Sequence, residues 1–279
     1  MSLFLIIISI LFGFIVGSFL NVVVLRMHTG RSFVRGRSMC FTCNKGLNWF
    51  ELIPILSFIF QRGKCRNCSV PLSIQYMAME LVTGALFGLI WFVFFDITNL
   101  VSLIPVVFGW IVVSCLVVAG MYDIRHFILP DETTYFFAGL GVLALFFPVL
   151  IGSDVLVQLP TWQAIISGPV VALPFALVWW ISRGTWMGLG DAKLSLGIGW
   201  ILGLNAGFSA LIFSFWIGAV FVIGLVLYRF FQKHIQHKKI SKLDHHIPFG
   251  PFLIKGFLAV YLSGFTLYSL MMWWAGVLY

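Results

Sequence analysis

The sequence predicts an all-α integral membrane protein, with about eight transmembrane helices and one large polar loop between the first and second. Three observations predict it. Of 279 residues, 61% are hydrophobic and only 9% are charged, whereas a soluble domain carries about 25% charged residues. Apolar windows of roughly 20 residues recur along the chain, enough to cross the hydrocarbon core as helices. The basic residues cluster between those windows in a pattern that fixes a topology. A β-barrel would instead show segments of about 10 residues with strict alternation.

The windows fall at 2–25, 77–95, 100–121, 134–151, 164–182, 191–206, 208–228 and 252–276. The first, MSLFLIIISI onward, has no basic residues before it and no small-residue cleavage site after it, so it reads as a retained span rather than a secretory signal. The loop 26–76 holds Arg26, Arg31, Arg35, Arg37, Lys45, Arg62, Lys64 and Arg66. Arg125 and Arg183 mark later turns, and Arg229, Lys233, Lys238, Lys239 and Lys242 fill the last long loop. The sixth window is short and glycine-rich, and begins at Asp191 and Lys193. With eight crossings, all 17 Lys and Arg fall on one face. That face is cytoplasmic by the positive-inside rule, and both termini lie outside. The net charge of +8 is this topological signal and calls for no nucleic-acid partner. The partner implied by composition is the lipid bilayer.

The loop 26–76 contains CFTC at 40–43 and CRNC at 65–68. Two such pairs can bring four thiolates into a tetrahedron suited to Zn(II). A cytoplasmic location disfavours disulfides, and Lys45, Lys64 and Arg66 favour thiolates. A redox pair or unligated thiols is the alternative. A closed set of four cysteines leaves no open coordination position, so such a metal is structural and folds a loop too small for its own core. The expected ligands are Cys40, Cys43, Cys65 and Cys68. Cys115, alone in the third window, reads as a small buried residue.

Nine acids are present. Asp96, Asp154 and Asp244 read as solvated, and Asp131 and Glu132 follow Pro130, where acids suit a helix start. Asp123 ends the third span and Asp191 begins the sixth, so both lie at one depth, on one face, on different helices. Two carboxyls brought together in a low-dielectric site share a proton. One can then activate water while the other protonates a leaving group. Helix capping, pairing with Arg125 or Lys193, and proton binding in an ion-coupled transporter use similarly placed acids. Lys193 reads as an interface anchor. Gly188, Gly190, Gly197 and Gly199 fit either close backbone approach or plain packing.

GLGDAKL at 188–194 resembles the GxGD motif of intramembrane aspartic peptidases, and YDIRHFILPDE at 122–132 resembles the other aspartate segment of the type IV prepilin peptidases. GSFLNVVVLR at 17–26, SMCFTCNKGLNWFELIPILSFIFQRGKCRNC at 38–68, ELVTG at 80–84 and IPFGPFL at 247–253 are similar to that family's remaining motifs. The resemblance covers nearly the whole chain. It implies a bacterial inner-membrane enzyme that removes the basic leader of type IV prepilins or type II secretion pseudopilins at the cytoplasmic face. It implies Asp123 and Asp191 as the catalytic pair, with Asp131 the alternative to Asp123. Retention of all four cysteines implies the bifunctional form, which N-methylates the new terminus from S-adenosylmethionine; a peptidase without methylation is the alternative. The implied organisation is a first helix at 1–25, a zinc loop serving methyl transfer at 26–76, and a peptidase membrane domain at 77–279. No G-x-G-x-x-G follows a strand, so a methyl-donor pocket has to come from the loop and adjoining helix ends, where Glu80 and Asn21 lie. None of the histidines (His28, His126, His234, His237, His245 and His246) has ligand spacing for a second site.

Overall fold

The structure, a computed structural model, describes residues 2–40, 42–236 and 247–277. Lys238, Lys239, Lys242, Asp244, His237, His245 and His246 lie outside the described residues, as do the side chains of Lys233 and His234. The described chain is mostly helical, and its only β pairing consists of isolated bridges.

Two compact units form. The first comprises residues 1–121 and 149–154. In it, α1 (Ser2–Arg26) packs against α3 (Gln75–Phe94), with the short helix α2 (Leu56–Phe60) in the loop between them. Small residues set the closeness of α1 and α3: a Cβ at Gly13 would lie 2.7 Å from Gly84 Cα. Backbone approach of this kind is how membrane helices gain packing energy without a hydrophobic driving force. The Ser9 hydroxyl donates to Phe87 O at 2.9 Å. Trp110, from the first part of α4 (Leu103–His126), stacks on Phe87 at 5.0 Å.

The second unit comprises residues 122–148 and 155–279. It takes the last turn of α4, then α5 (Asp131–Phe146), α6 (Trp162–Ser182), α7 (Leu189–Leu202), α8 (Leu204–Gln236), α9 (Gly250–Ser263) and α10 (Leu267–Val277). Helix α7 is the hub, packed against α5, α6, α8 and α9. Its glycine face makes this possible. A Cβ at Gly199 would lie 2.5 Å from Ser167 O, and the Ser167 hydroxyl donates to Gly199 O at 2.8 Å.

Among the described residues, five helical segments are long and apolar enough to cross a membrane: Leu3–Arg26, Gln75–Phe94, Leu100–His126, Trp162–Ser182 and Leu204–Phe231. The pair α9–α10, bent by 62°, makes a sixth if counted as one span. This is a multi-pass membrane protein. Every one of the eight windows carries a helix, but three differ from expectation. Helix α5 stops at Phe146 because Pro148 disfavours helical geometry at Phe147. Helix α7 stops at Leu202 because Gly203 (φ 79°) breaks it. At about 1.5 Å per residue these two reach about 24 and 21 Å, short of the roughly 30 Å hydrocarbon core. The last window is interrupted at Gly264, in the left-handed region.

Candidate active site and metal centre

Asp123 lies in the last turn of α4, where the helix dipole disfavours an acid. It is nevertheless buried, with 4% of its surface exposed. A second helix compensates: Gly250 N–H, at the first residue of α9, donates to Asp123 Oδ2 at 3.1 Å. The carboxylate thus caps the N-terminus of α9, where four N–H groups lack intrahelical partners. Only glycine fits there, since a Cβ at position 250 would lie 2.5 Å from Asp123 Oδ2.

Asp191 lies in the first turn of α7, and is buried as well. Its Oδ1 has no hydrogen-bond partner among the described residues. Leu129, from the turn after α4, walls the site against both glycines: Cβ atoms at Gly190 and Gly250 would lie 2.7 and 3.2 Å from its side chain. Asp191 follows Gly190, and Gly250 holds Asp123, so the contacts of both glycines with one side chain bring the two acids to the same place. Three helix ends therefore deliver two buried acids to one place, one of them with an unsatisfied oxygen. Such an oxygen is where a water or a substrate group binds.

Asp131 does not join them. It is exposed at the start of α5 and accepts from Lys193 Nζ at 2.7 Å, tying α5 to α7. Lys193 also lies 4.6 Å from the centroid of the Tyr135 ring. This partnership adds a specific contact to the anchor expected from sequence. Gly190, Gly197 and Gly199 all meet neighbouring helices or turns too closely for a side chain, while Gly188 does not. His126 stacks near Tyr122, with ring centroids 4.3 Å apart.

In the first unit, Cys40, Cys43, Cys65 and Cys68 place their sulfurs within 4.8 Å of one another. The Cys40–Cys68 Sγ separation is 3.9 Å. Four sulfurs about 2.3 Å from a tetrahedral zinc would stand about 3.8 Å apart, so the donor set fits that ion. Both knuckles have the same local build. Cys40 N–H donates to Lys45 O at 3.0 Å and Asn44 N–H to Cys40 O at 2.9 Å. In the second, Cys65 N–H donates to Val70 O and Ser69 N–H to Cys65 O, each at 2.9 Å. Asn44 and Ser69 take the same left-handed conformation, with φ of 54° and 57°. Hydrogen bonds from Lys45 backbone and then the Asn67 side chain hold the Cys43 thiol down at about 6, which favours the thiolate that metal ligation requires. Cys115 is buried apart from this group in the middle of α4.

Sequence reasoning missed the role of Gly250 and Leu129. A signal existed in FGPF at 249–252, a Gly–Pro helix start expected at the same depth as the two aspartates.

Residues 11–94 match the family model described as the bacterial peptidase A24 N-terminal domain, and residues 110–223 match that of the type IV leader peptidase family. The prepilin leader peptidase/N-methyltransferase of Bacillus subtilis (strain 168) is 32% identical over 260 residues, covering 93% of this chain and 94% of that protein. The Aeromonas salmonicida (strain A449) protein of the same name is 30% identical over 286 residues, covering 90% and 88%. That of Myxococcus xanthus (strain DK1622) is 35% identical over 220 residues, 77% of this chain and 61% of the relative. No solved structure matches the chain.

Proposed function

Because the chain belongs to the type IV leader peptidase family, we propose that Asp123 and Asp191 are the pair with which it cleaves prepilins. The protein is a prepilin leader peptidase/N-methyltransferase by kinship, and its substrates are prepilins or type II secretion pseudopilins. The observation that carries the assignment is the meeting of two buried acids, one with an oxygen that has no partner among the described residues.

The chemistry follows from that arrangement. One carboxyl takes a proton from water as its oxygen attacks the scissile carbonyl, and the other protonates the departing amine as the C–N bond breaks. Gly250 N–H fixes the Asp123 carboxylate, and Leu129 and the close helix ends exclude bulk water, which strengthens every electrostatic contact inside. Zinc, bound by Cys40, Cys43, Cys65 and Cys68, folds the 26–76 loop.

The organisation proposed is a first helix at 1–25, a loop at 26–76 and a membrane domain at 77–279; the family model over 11–94 spans the first helix, the loop and the following helix together. The loop region serves N-methylation, with S-adenosylmethionine as the donor. Eight crossings with a cytoplasmic loop and both termini outside are supported by charge, since only then do all 17 Lys and Arg share one face. The membrane is then the bacterial inner membrane, and the leader is cut at its cytoplasmic side.

The direct test uses purified protein and a prepilin. Asp123→Asn and Asp191→Asn, each alone, are expected to lose leader cleavage by at least about 10²–10⁴-fold while still inserting in the membrane. Undiminished cleavage by either variant would remove that residue from the pair.

A further inference from the structure

The first unit contains a cavity of about 800 Å³, between the inner end of α1, the cysteine loop and the start of α3. Its size falls within the roughly 300–1,000 Å³ of small-molecule sites. Three buried polar side chains line it: Asn21, Glu51 and Glu80. Burying polar groups is costly unless each finds a partner, so how each is satisfied shows what the cavity lacks.

Asn21 is 2% exposed. Its amide nitrogen donates to Tyr76 O at 3.1 Å and Gly17 O at 3.3 Å. Those two carbonyls fix which way the amide faces, and leave Oδ1 as an acceptor with no partner among the described residues. Glu51 accepts Asn48 N–H at 2.8 Å through one oxygen. Glu80 accepts Ile55 N–H at 2.7 Å and also takes a hydrogen bond from the Ser18 side chain.

The Glu80 contact bears on strain. Ile55 has φ 61° and ψ −54°, and Leu56 N–H bonds back to Pro54 O. This is the rare γ-turn with positive φ, at a β-branched residue where that conformation is least tolerated. Strain held in place by a buried carboxylate marks segments whose shape serves a site.

Arginines line the cavity as well. Arg26 is committed to the loop itself, donating to the carbonyls of Ser32, Arg35 and Arg37 at 2.6–3.2 Å. It curls residues 32–37 so that Arg31, Arg35 and Arg37 stand at the rim. The cavity therefore offers acceptors and carboxylates in its depth and guanidinium groups at its edge.

We propose that this cavity is the methyl-donor site, taking S-adenosylmethionine with its cationic and hydroxyl-bearing parts against Asn21, Glu51 and Glu80 and its carboxylate toward the rim arginines. The inference rests on the methyltransferase reading above and adds to it the residues of the donor site. Transfer itself forms a bond from the pilin's new amine nitrogen to the methyl carbon. The C–S bond breaks with its electron pair returning to sulfur, and the amine proton passes to water.

The test is calorimetric titration of the full chain, in detergent with zinc bound, using S-adenosylhomocysteine as probe. Glu80→Gln and Glu51→Gln keep an acceptor for Ile55 and Asn48 N–H, and zinc content verifies that each variant is folded. Each is expected to bind at least about tenfold more weakly, the size of one charge-assisted hydrogen bond. A second measurement needs no variant: the probe is expected to slow trypsin cleavage at Arg31, Arg35 and Arg37 in the native chain. Normal binding by both variants, or binding without protection of those arginines, would overturn the cavity assignment and leave the methyltransferase reading intact. If the native chain binds no probe and methylates no pilin, that reading falls and the cavity assignment falls with it.

Discussion

Asp123 sits where its own helix disfavours it and a second helix supports it. An acid in a last turn meets the negative end of the dipole, so its burial there needs the Gly250 N–H and the start of α9. Gly250→Ala would drive a methyl group against Oδ2. We expect cleavage to fall about 10²-fold, the cost of misplacing a reacting group by an ångström or so, with the helical content unchanged by circular dichroism. Full activity would show that the α9 contact is dispensable. Asp131 makes the contrast. Exposed and paired with Lys193, it contributes no more than about 1 kcal/mol, so Asp131→Asn is expected to keep cleavage within about twofold. A cleavage loss in a membrane-inserted Asp131→Asn would instead bring this residue into the reaction.

Among the elements, the cysteine loop was the most legible in the sequence and the helix ends the least. Two CxxC pairs specify chemistry by residue type and spacing alone, and the thiols do gather. Helix existence was legible because apolar windows demand internal hydrogen bonding in lipid. Helix length was less so. Hydropathy continues smoothly through Phe147–Ile151 and Gly203, whereas backbone geometry does not, since Pro148 and a positive-φ glycine end α5 and α7 early. The pairing of Asp123 with Asp191 followed from depth and sidedness. The Gly250 contact did not, because it joins residues 127 apart, and the Gly–Pro pair at 250–251 marks a helix start without naming its partner. Metal removal tests the loop as an element. Cys40→Ser or Cys65→Ser is expected to drop zinc from one per chain toward none and speed proteolysis within 26–76, with α1 and α3 still protected. Retained zinc with three cysteines would contradict a closed four-thiolate site.

At the scale of the whole molecule, charge and helix length point to different numbers of crossings. Five segments, or six with α9–α10, are long enough alone, while eight crossings gather every basic residue on one side. Snorkelling side chains and local bilayer thinning let short helices such as α5 and α7 cross at modest cost. The two topologies differ at the segment between α5 and α6. With eight crossings, Asp154→Cys is expected to react with a membrane-impermeant thiol reagent added outside intact cells; with six, it is shielded until the membrane is opened. Eight crossings with the basic face inside would put Asp123, at the end of α4, and Asp191, at the start of α7, on the cytoplasmic side, where the proposed cleavage takes place.

The central claim is that Asp123 and Asp191 together remove the leader and that the same chain methylates the new terminus. Mass spectrometry of a prepilin co-expressed with the protein measures both at once. With the native chain, the account predicts a pilin lacking its leader and heavier by one methyl group. With Asp123→Asn or Asp191→Asn, it predicts the full-length precursor without that methyl. A trimmed pilin from either variant, equal in amount to that from the native chain, would contradict the account.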